Sequence, residues 1–405
     1  MTQNHPKLSE RLIKSLVARN DAHQWEKLMA MLLQRLELSP GERNDAKLAY
    51  ERLGNRIAAT LGLSQTEVKV YPQGSMRTQT TISPRGNQKF DLDIVVELQG
   101  IQYMLSPDSE GMFADFGKAL EGNESVTGVP EGKRRCWRLQ YPGKPFYFDV
   151  TPAVPDLARS TGASLKVRDP DTRWSPSNPE DFANWFCERA DKRFGFQQRA
   201  YDAVIKANSE IRPLPEAQVG LDDILRRTIQ LMKLHRDNLY WNAEDWRKDG
   251  QPISVIIVTL ATKAFERLHS TRYHEFTSPI EVVLAIVEEM PNHFDSGPDR
   301  YCVANPMLPK ENFADRWNND NGVRAREFQR WHKQLEEDLE ALLYQSSSSP
   351  DESRIRRVFG GVGVEAWKQS QPVNDILGGY SQAVWSVIPL VLSHTDQRTP
   401  LVDGS

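Results

Sequence analysis

The chain has 405 residues, with 51 Lys plus Arg against 55 Asp plus Glu and 39% hydrophobic side chains, which is ordinary for a folded protein and excludes wholesale disorder. A formal net charge of −4 argues against a surface that grips duplex DNA or long RNA along its length. The length suits two or three domains or one bilobal unit, and three scattered cysteines (Cys136, Cys187, Cys302) suit a reducing cytoplasm rather than a disulfide framework.

In chain order, the first 62 residues read as helix. They carry no apolar core of the kind a secretory signal needs. Leu12, Leu16, Trp25, Leu28, Met29, Leu32, Leu33 and Leu36 recur at three- and four-residue steps. Ser39-Pro40-Gly41 breaks the pattern, and Ala46–Leu61 resumes it. From Val68 to about Val154, β-rich runs take over: Val68–Tyr71, Phe90–Leu98, Cys136–Gln140 and Phe146–Val150. Turn signals at Pro84–Asn87 and Tyr141–Lys144 separate them. From about Pro179 helical periodicity returns, so the order predicts an α+β fold with its sheet confined to the first half.

Within the helical part, the longest uncharged apolar runs are Ile253–Ala261 and Ala383–Leu392, short of the about 20 residues of a bilayer span. A soluble protein without membrane association is expected. Gln345–Pro350 reads as a flexible loop and Ser393–Ser405 as a mobile polar tail. Phe359-Gly-Gly-Val-Gly-Val lacks the third spaced glycine of a dinucleotide fingerprint and is expected to be a turn at a helix end.

The chemistry concentrates in two stretches. In Phe90–Leu98, Leu92, Ile94, Val95 and Val96 make an apolar strand, and Asp91 and Asp93, two residues apart, project to the same side. Paired carboxylates repel and raise each other's pKa unless a cation sits between them, and a divalent metal with oxygen preference removes that penalty. Asp149 lies in the middle of the aromatic strand Phe146–Val150, where a lone carboxylate is costly. If the two strands pair, three carboxylates converge as the ligand set of a two-metal phosphoryl-transfer site. Just upstream, Gly74 permits close backbone approach to a phosphate, and Ser75 offers a hydroxyl and an N–H at a strand-to-helix turn.

Together these residues resemble the nucleotidyltransferase fold of the DNA polymerase β superfamily, which joins a Gly-Ser turn, a D-x-D strand and a distant third acid. The run from Gln73 to Ile82, followed by Phe90-Asp-Leu-Asp93, is similar to the cGAS/DncV-like nucleotidyltransferases (CD-NTases) of bacteria. Trp174–Pro179, Arg226–Asp237, Pro252–Thr259, Asn305-Pro306 and Glu311–Trp317 extend the resemblance over about residues 20 to 340.

The resemblance implies a bilobal enzyme: N-terminal helices and a mixed-sheet catalytic lobe in 1–205, a helical lobe in 206–392, and a tail in 393–405. It implies a template-independent synthase that makes a cyclic di- or trinucleotide second messenger from ATP and other NTPs, in anti-phage signalling. A linear oligonucleotide or RNA-tailing enzyme of the same fold is the alternative. Asp91, Asp93 and Asp149 would be the catalytic metal ligands for two Mg2+ ions, with Mn2+ able to replace them. Gln73, Gly74, Ser75, Lys233 and Ser254 would bind the nucleotide. Accessory regulators would act on the tail, and a downstream effector would read the product.

Read without the family, Arg226, Gln230, Lys233 and Asp237 share one polar stripe of a helix beside apolar Leu225, Ile229 and Met232, and such a stripe is ordinarily a solvated face. Ser254, after Pro252, reads as a helix-start residue bonded to local backbone. Lys133, Arg134, Arg135 and Arg138 read as a solvated edge strand, with nucleotide contact as the second reading. No His/Cys cluster has metal spacing, so the zinc insertion of the animal enzyme is absent. Trp174 and Trp185 read as packing residues rather than base-stacking ones.

Overall fold

The computed structural model describes residues 28–33, 35–36, 39–83, 89–106, 108–122, 130–158, 163–196, 223–295, 301–343 and 352–370. Contacts divide the chain into one compact unit, Met1–Ser370, and a C-terminal unit, Gln371–Ser405. The second unit lies outside the described residues, as do the apolar run at 383–392, the tail at 393–405, most of the first N-terminal helical pattern, the turn at 84–87, the loop at 345–350 and the 205/206 boundary.

Helix α1 (Pro40–Thr60) starts where Ser39 caps it: the Ser39 side chain accepts from the Glu42 N–H, Glu42 answers the Ser39 N–H, and Pro40 occupies the first turn. Its Ala46, Leu53 and Ile57 pack on a sheet built from β1 (Val68–Pro72), β2 (Phe90–Leu98), β3 (Glu131–Gly132), β4 (Trp137–Gln140) and β5 (Phe146–Pro155), in the order β1-β2-β5-β4-β3. A short helix, α2 (Gly74–Thr78), follows β1, and α3 (Ser109–Leu120) carries the chain from β2 toward β3. Strands β6 (Leu165–Asp169) and β7 (Arg173–Ser177) branch from the C-terminal half of β5 and complete seven strands among the described residues.

The central pair is β2 against β5, parallel, with Phe90 opposite Phe146, Leu92 opposite Phe148 and Ile94 opposite Val150. All six enter one core with Val96, Phe116 and Leu139, and each is at most 5% exposed. Burying each such side chain stabilises the fold by about 1.5–3 kcal/mol. The opposite face holds a small cluster, Val95, Ala153, Leu165 and Val167, and beyond it the polar residues of both strands. A parallel pair needs a long crossover, and the stretch containing α3, β3 and β4 supplies it.

The helical part begins with α4 (Pro179–Ala190), capped by Asn178, and continues with α5 (Ile224–Tyr240), α6 (Ser254–Thr271), α7 (Pro279–Glu289), α8 (Val323–Leu343) and α9 (Glu352–Ser370). Its core centres on Trp331, Phe328, Phe265, Phe276 and Phe186. Truncating Trp331, which is fully buried, would cost about 3–5 kcal/mol. Trp185 is 5% exposed in this core, as a packing residue should be.

The seven-stranded sheet lies within residues 68–177, in the first half as expected. A separate two-stranded hairpin, β8 (Ala304–Asn305) and β9 (Leu308–Asn312), stands among the helices and contacts β7. Gly360, at φ 68, is a turn at which one helical piece of α9 ends and the next begins.

Candidate active site

The carboxylates converge because register and parity agree. Asp93 lies opposite Asp149 in the parallel β2–β5 pair, so both point to the face away from the aromatic core, and Asp91 joins them one pleat along. One oxygen of each of Asp91, Asp93 and Asp149 lies within 4.8 Å of the others. Among the described residues this is the group of acids, histidines or cysteines with metal-ligand spacing. Its hard oxygen donors fit a divalent cation such as Mg2+.

Electrostatics agree with that fit. Desolvation, and then the Asp149 charge, push the Asp91 carboxyl up to about 6. Desolvation, followed by Asp91 and Asp149, pushes Asp93 up to about 8. A cation beside Asp91 and Asp93 would restore their ionised forms.

Asp149 is treated differently. Directly across the antiparallel β4–β5 pair stands Arg138, whose Nε donates to Asp149 Oδ1 at 2.8 Å and Nη2 to Oδ2 at 2.7 Å. The fork-on-carboxylate geometry is the strong form of the ion pair. Arg138 also stacks over Tyr147 at 4.1 Å, and its hydrogen bond to Asp149 holds its pKa above the usual arginine value. Thus Arg138 is no solvated edge residue. The rest of the basic cluster is structural: Arg134 and Arg135 both bind Asp169, and Lys133 pairs with Glu131.

A cavity of about 460 Å³ opens beside Asp91 and Asp93. Gln73, Gly74, Ser75, Lys233 and Ser254 all line it. Asp149 does not; it is 8% exposed and reaches the group through Asp91 and Asp93. Gln73 closes β1 onto β2, its N–H donating to the Asp93 carbonyl at 3.0 Å. Gly74 then turns the chain into α2 with φ +58, in the left-handed region that favours glycine. Ser75 Oγ accepts from Thr81 Oγ1 at 3.2 Å.

The polar stripe of α5 is not solvated. Arg226, Gln230 and Lys233 are 5%, 1% and 5% exposed, covered by residues 78–82. Lys233 Nζ donates to the Thr80 carbonyl at 2.8 Å, and burial, followed by the Arg236 charge, pushes its ammonium down to about 8. Ser254 Oγ accepts from Arg236 Nη1 at 3.0 Å, and Arg236 also lines the cavity. Lys233 and Arg236, the latter paired with Asp237 at 2.7 Å, therefore line the same cavity as Asp91 and Asp93. Cations and metal-binding carboxylates in one cavity are what a polyphosphate ligand calls for.

Three residues of the site are ones whose part in it the sequence reading does not single out. Arg138 looks like one member of a basic run, and only its strand position opposite Asp149 sets it apart. Arg236 sits one helical turn past Lys233 but off the stripe. Glu311 is a half-buried carboxylate of the cavity wall that accepts from Asn305 Nδ2 at 2.7 Å, the Asn178 N–H at 3.0 Å and Ser177 Oγ at 3.2 Å. Burial raises its pKa. Its motif, Glu311-Asn-Phe, carries no charge pattern that announces a wall position.

Comparison with known proteins gives an independent line. The family described as Second Messenger Oligonucleotide or Dinucleotide Synthetase domain matches residues 24–190. A c-di-GMP synthase of Roseivirga ehrenbergii is 26% identical over 305 residues, covering 75% of this chain and 75% of that one. The Bradyrhizobium diazoefficiens CD-NTase CdnG, solved in complex with GTP, is similar with TM-score 0.63 at 22% identity, over 85% of this chain and 98% of that chain. E. coli MS115-1 CdnC, solved with ATP, has TM-score 0.53 at 12% identity, over 83% and 97%. These two likenesses establish a common fold. No helix of the described residues is long and apolar enough to cross a membrane.

Proposed function

We propose that the chain, whose residues 24–190 match the Second Messenger Oligonucleotide or Dinucleotide Synthetase domain, is a nucleotidyltransferase of the CD-NTase type that joins NTPs, ATP among them, into a cyclic di- or trinucleotide second messenger by metal-dependent phosphoryl transfer. The observation that carries the reading is that Asp91 and Asp93, with Asp149 within 4.8 Å of them, share one cavity with Lys233 and Arg236. The two cores, one under the sheet and one among the helices, support a bilobal reading, with the helical core also taking in Leu32, Leu36, Trp185, Phe186 and Phe194 from within 1–205.

Asp91, Asp93 and Asp149 would hold Mg2+, which when bound supplies Lewis acidity at the attacking hydroxyl and at the leaving pyrophosphate. The chain's own residues do the rest. Lys233 is a buried ammonium weakened by desolvation, so a polyphosphate beside it restores its full charge and gains a strong charge-assisted hydrogen bond. Arg236 adds a second cation to the cavity and donates to Ser254. Ser75 presents its hydroxyl to the same space, and Gly74 leaves the backbone bare beside it. Ile82, Phe182, Val258 and Phe313 supply apolar wall, which lowers the local dielectric and strengthens these contacts.

The test incubates pure protein with the four NTPs and Mg2+ and analyses the products by mass spectrometry. A product that resists phosphatase supports ring closure, and a phosphatase-sensitive one supports a linear synthase. Absence of pyrophosphate release under every activating condition, or undiminished release from Asp91→Ala with Asp93→Ala, would sink the reading. The same reading places the product upstream of an effector in anti-phage signalling and regulators on residues 393–405. Unchanged signalling in cells after deletion of the last five residues would count against the tail's part in it.

A further inference from the structure

The polar face of α5 meets the chain after the Gly-Ser helix through a set of buried donors. Arg226 Nε donates to the Thr78 carbonyl at 3.0 Å, Lys233 Nζ to the Thr80 carbonyl at 2.8 Å and Gln230 Nε2 to the Thr81 carbonyl at 3.0 Å. The spacing of 226, 230 and 233 is one helix face, so a rigid element presents all three at once. Helix α2 is a single short turn that Gln79, at φ 57, ends in the left-handed region, leaving terminal carbonyls to be satisfied from outside.

The captured segment is wired back to the site. Thr78 Oγ1 donates to the Gly74 carbonyl at 3.0 Å and lies 2.9 Å from Thr80 Oγ1, with Thr78 and Thr80 at 3% and 1% exposed. The Thr80 N–H donates to the Ser75 carbonyl at 2.9 Å, and Thr81 Oγ1 donates to Ser75 Oγ at 3.2 Å. Every link is buried or half-buried, where hydrogen bonds are strong and orphaned partners costly. Gln230 is itself oriented, its Oε1 accepting from Arg227 Nη1 at 2.9 Å. Arg226 is anchored by Asp223 and Asp191.

We propose that this face of α5 is a positioning device, in which Gln230 and Arg226, acting through Thr78–Thr81, fix where the Ser75 hydroxyl stands in the cavity. The inference rests on the reading of that cavity as a nucleotide site. Gln230 and Arg226 are positioning residues: they touch no substrate, and the helical part of the molecule reaches the nucleotide-binding turn through them. Loss of Gln230's donor would let the turn shift, and small misplacements of a binding group cost on the order of tenfold to a hundredfold in reaction efficiency.

The experiment is a double-mutant cycle on the full chain. KM for NTP and kcat are measured for the wild type, Gln230→Met, Ser75→Ala and the double variant, with thermal melting as the check on folding. Gln230→Met is expected to raise KM about tenfold with kcat changed much less, as loss of binding common to ground and transition states does. In the Ser75→Ala background the same substitution is expected to add little, because its route has been removed. Thr81→Val, which deletes only the last link, should reproduce the KM effect and serves if Gln230→Met melts below assay temperature. Equal multiplication of KM by Gln230→Met in both backgrounds, or a Thr81→Val enzyme like the wild type, overturns the inference while the nucleotide reading stands. A wild-type chain that neither binds nor turns over NTPs overturns both.

Discussion

A β-carbon placed on Gly74 would lie 2.3 Å from Oδ2 of Asp93. Gly74 thus serves the carboxylate group as well as the turn: its missing side chain is the space that Asp93 occupies. The positive φ adds a second demand that L residues meet only at a cost of about 1–2 kcal/mol. Gly74→Ala is expected to lower kcat/KM by roughly a hundredfold or more, because relief of the clash must displace the Asp93 carboxylate, which is proposed to hold metal. Pyrophosphate release under saturating Mg2+ measures it, and a Gly74→Ala enzyme within a few-fold of wild type contradicts this account.

The acidic wall makes stability depend on pH and metal together. Asp91 and Asp93 have folded pKa values of about 6 and about 8, above the 3.8 of the unfolded chain. Each therefore keeps a proton when folded that it has lost when unfolded, so the pair's contribution is most favourable at low pH. That contribution is lost as pH rises through about 6 and then about 8. Melting curves in EDTA are expected to show this decline, with Mg2+ flattening it. Asp93→Asn should melt higher than wild type in EDTA at pH 8 and gain little from Mg2+, the opposite of what a purely structural aspartate would do.

Arg138 can be tested through Asp149. Removing it leaves a carboxylate that is 12% exposed without its fork. Arg138→Gln is expected to cost about 1–3 kcal/mol of stability in EDTA. Added Mg2+ should raise the melting temperature of the variant more than that of wild type, since the cation then meets an otherwise unpaired ligand. Equal Mg2+ shifts in the two proteins would show that Arg138 and metal do not share Asp149.

Lys233 lines the cavity, is 5% exposed and is bonded to the Thr80 carbonyl. Lys233→Met is expected to raise KM for NTP about tenfold or more, the loss of a charge-assisted hydrogen bond. Lys233→Arg should not rescue it, because the planar fork does not replace a compact ammonium that also reaches the Thr80 carbonyl. Isothermal titration with a non-hydrolysable NTP analogue separates this loss of binding from any effect on chemistry.

How much of this was legible in the residues depends on what kind of information each needed. Asp91, Asp93 and Asp149 were legible because acids at alternate positions of apolar strands are expensive, and strand parity places them on one face. The strands β1, β2, β4 and β5 were legible from β-branched and aromatic runs. Strand β6, Leu165-Lys-Val-Arg-Asp169, alternates with charged residues, and β7, Arg173-Trp-Ser-Pro-Ser177, carries a proline, so neither announced itself. Helical periodicity located the stripe of Arg226, Gln230 and Lys233 but not its surroundings. A 3.6-residue period reveals that a face is polar, not whether water or residues 78–82 cover it. Arg138 needed the strand register opposite Asp149, a long-range fact that a local basic run does not contain.

The pairing of β2 with β5 carries one more consequence. Side chains alternate along a strand, so a slip of a single residue would turn Asp149 into the aromatic core and leave Phe148 or Val150 facing Asp93. A chain that misaligns these two strands, far apart in sequence, therefore loses its carboxylate group altogether rather than making a weakened one. Correct pairing and the assembly of the carboxylate group are set by the same contact, so a misaligned copy is silent rather than slow.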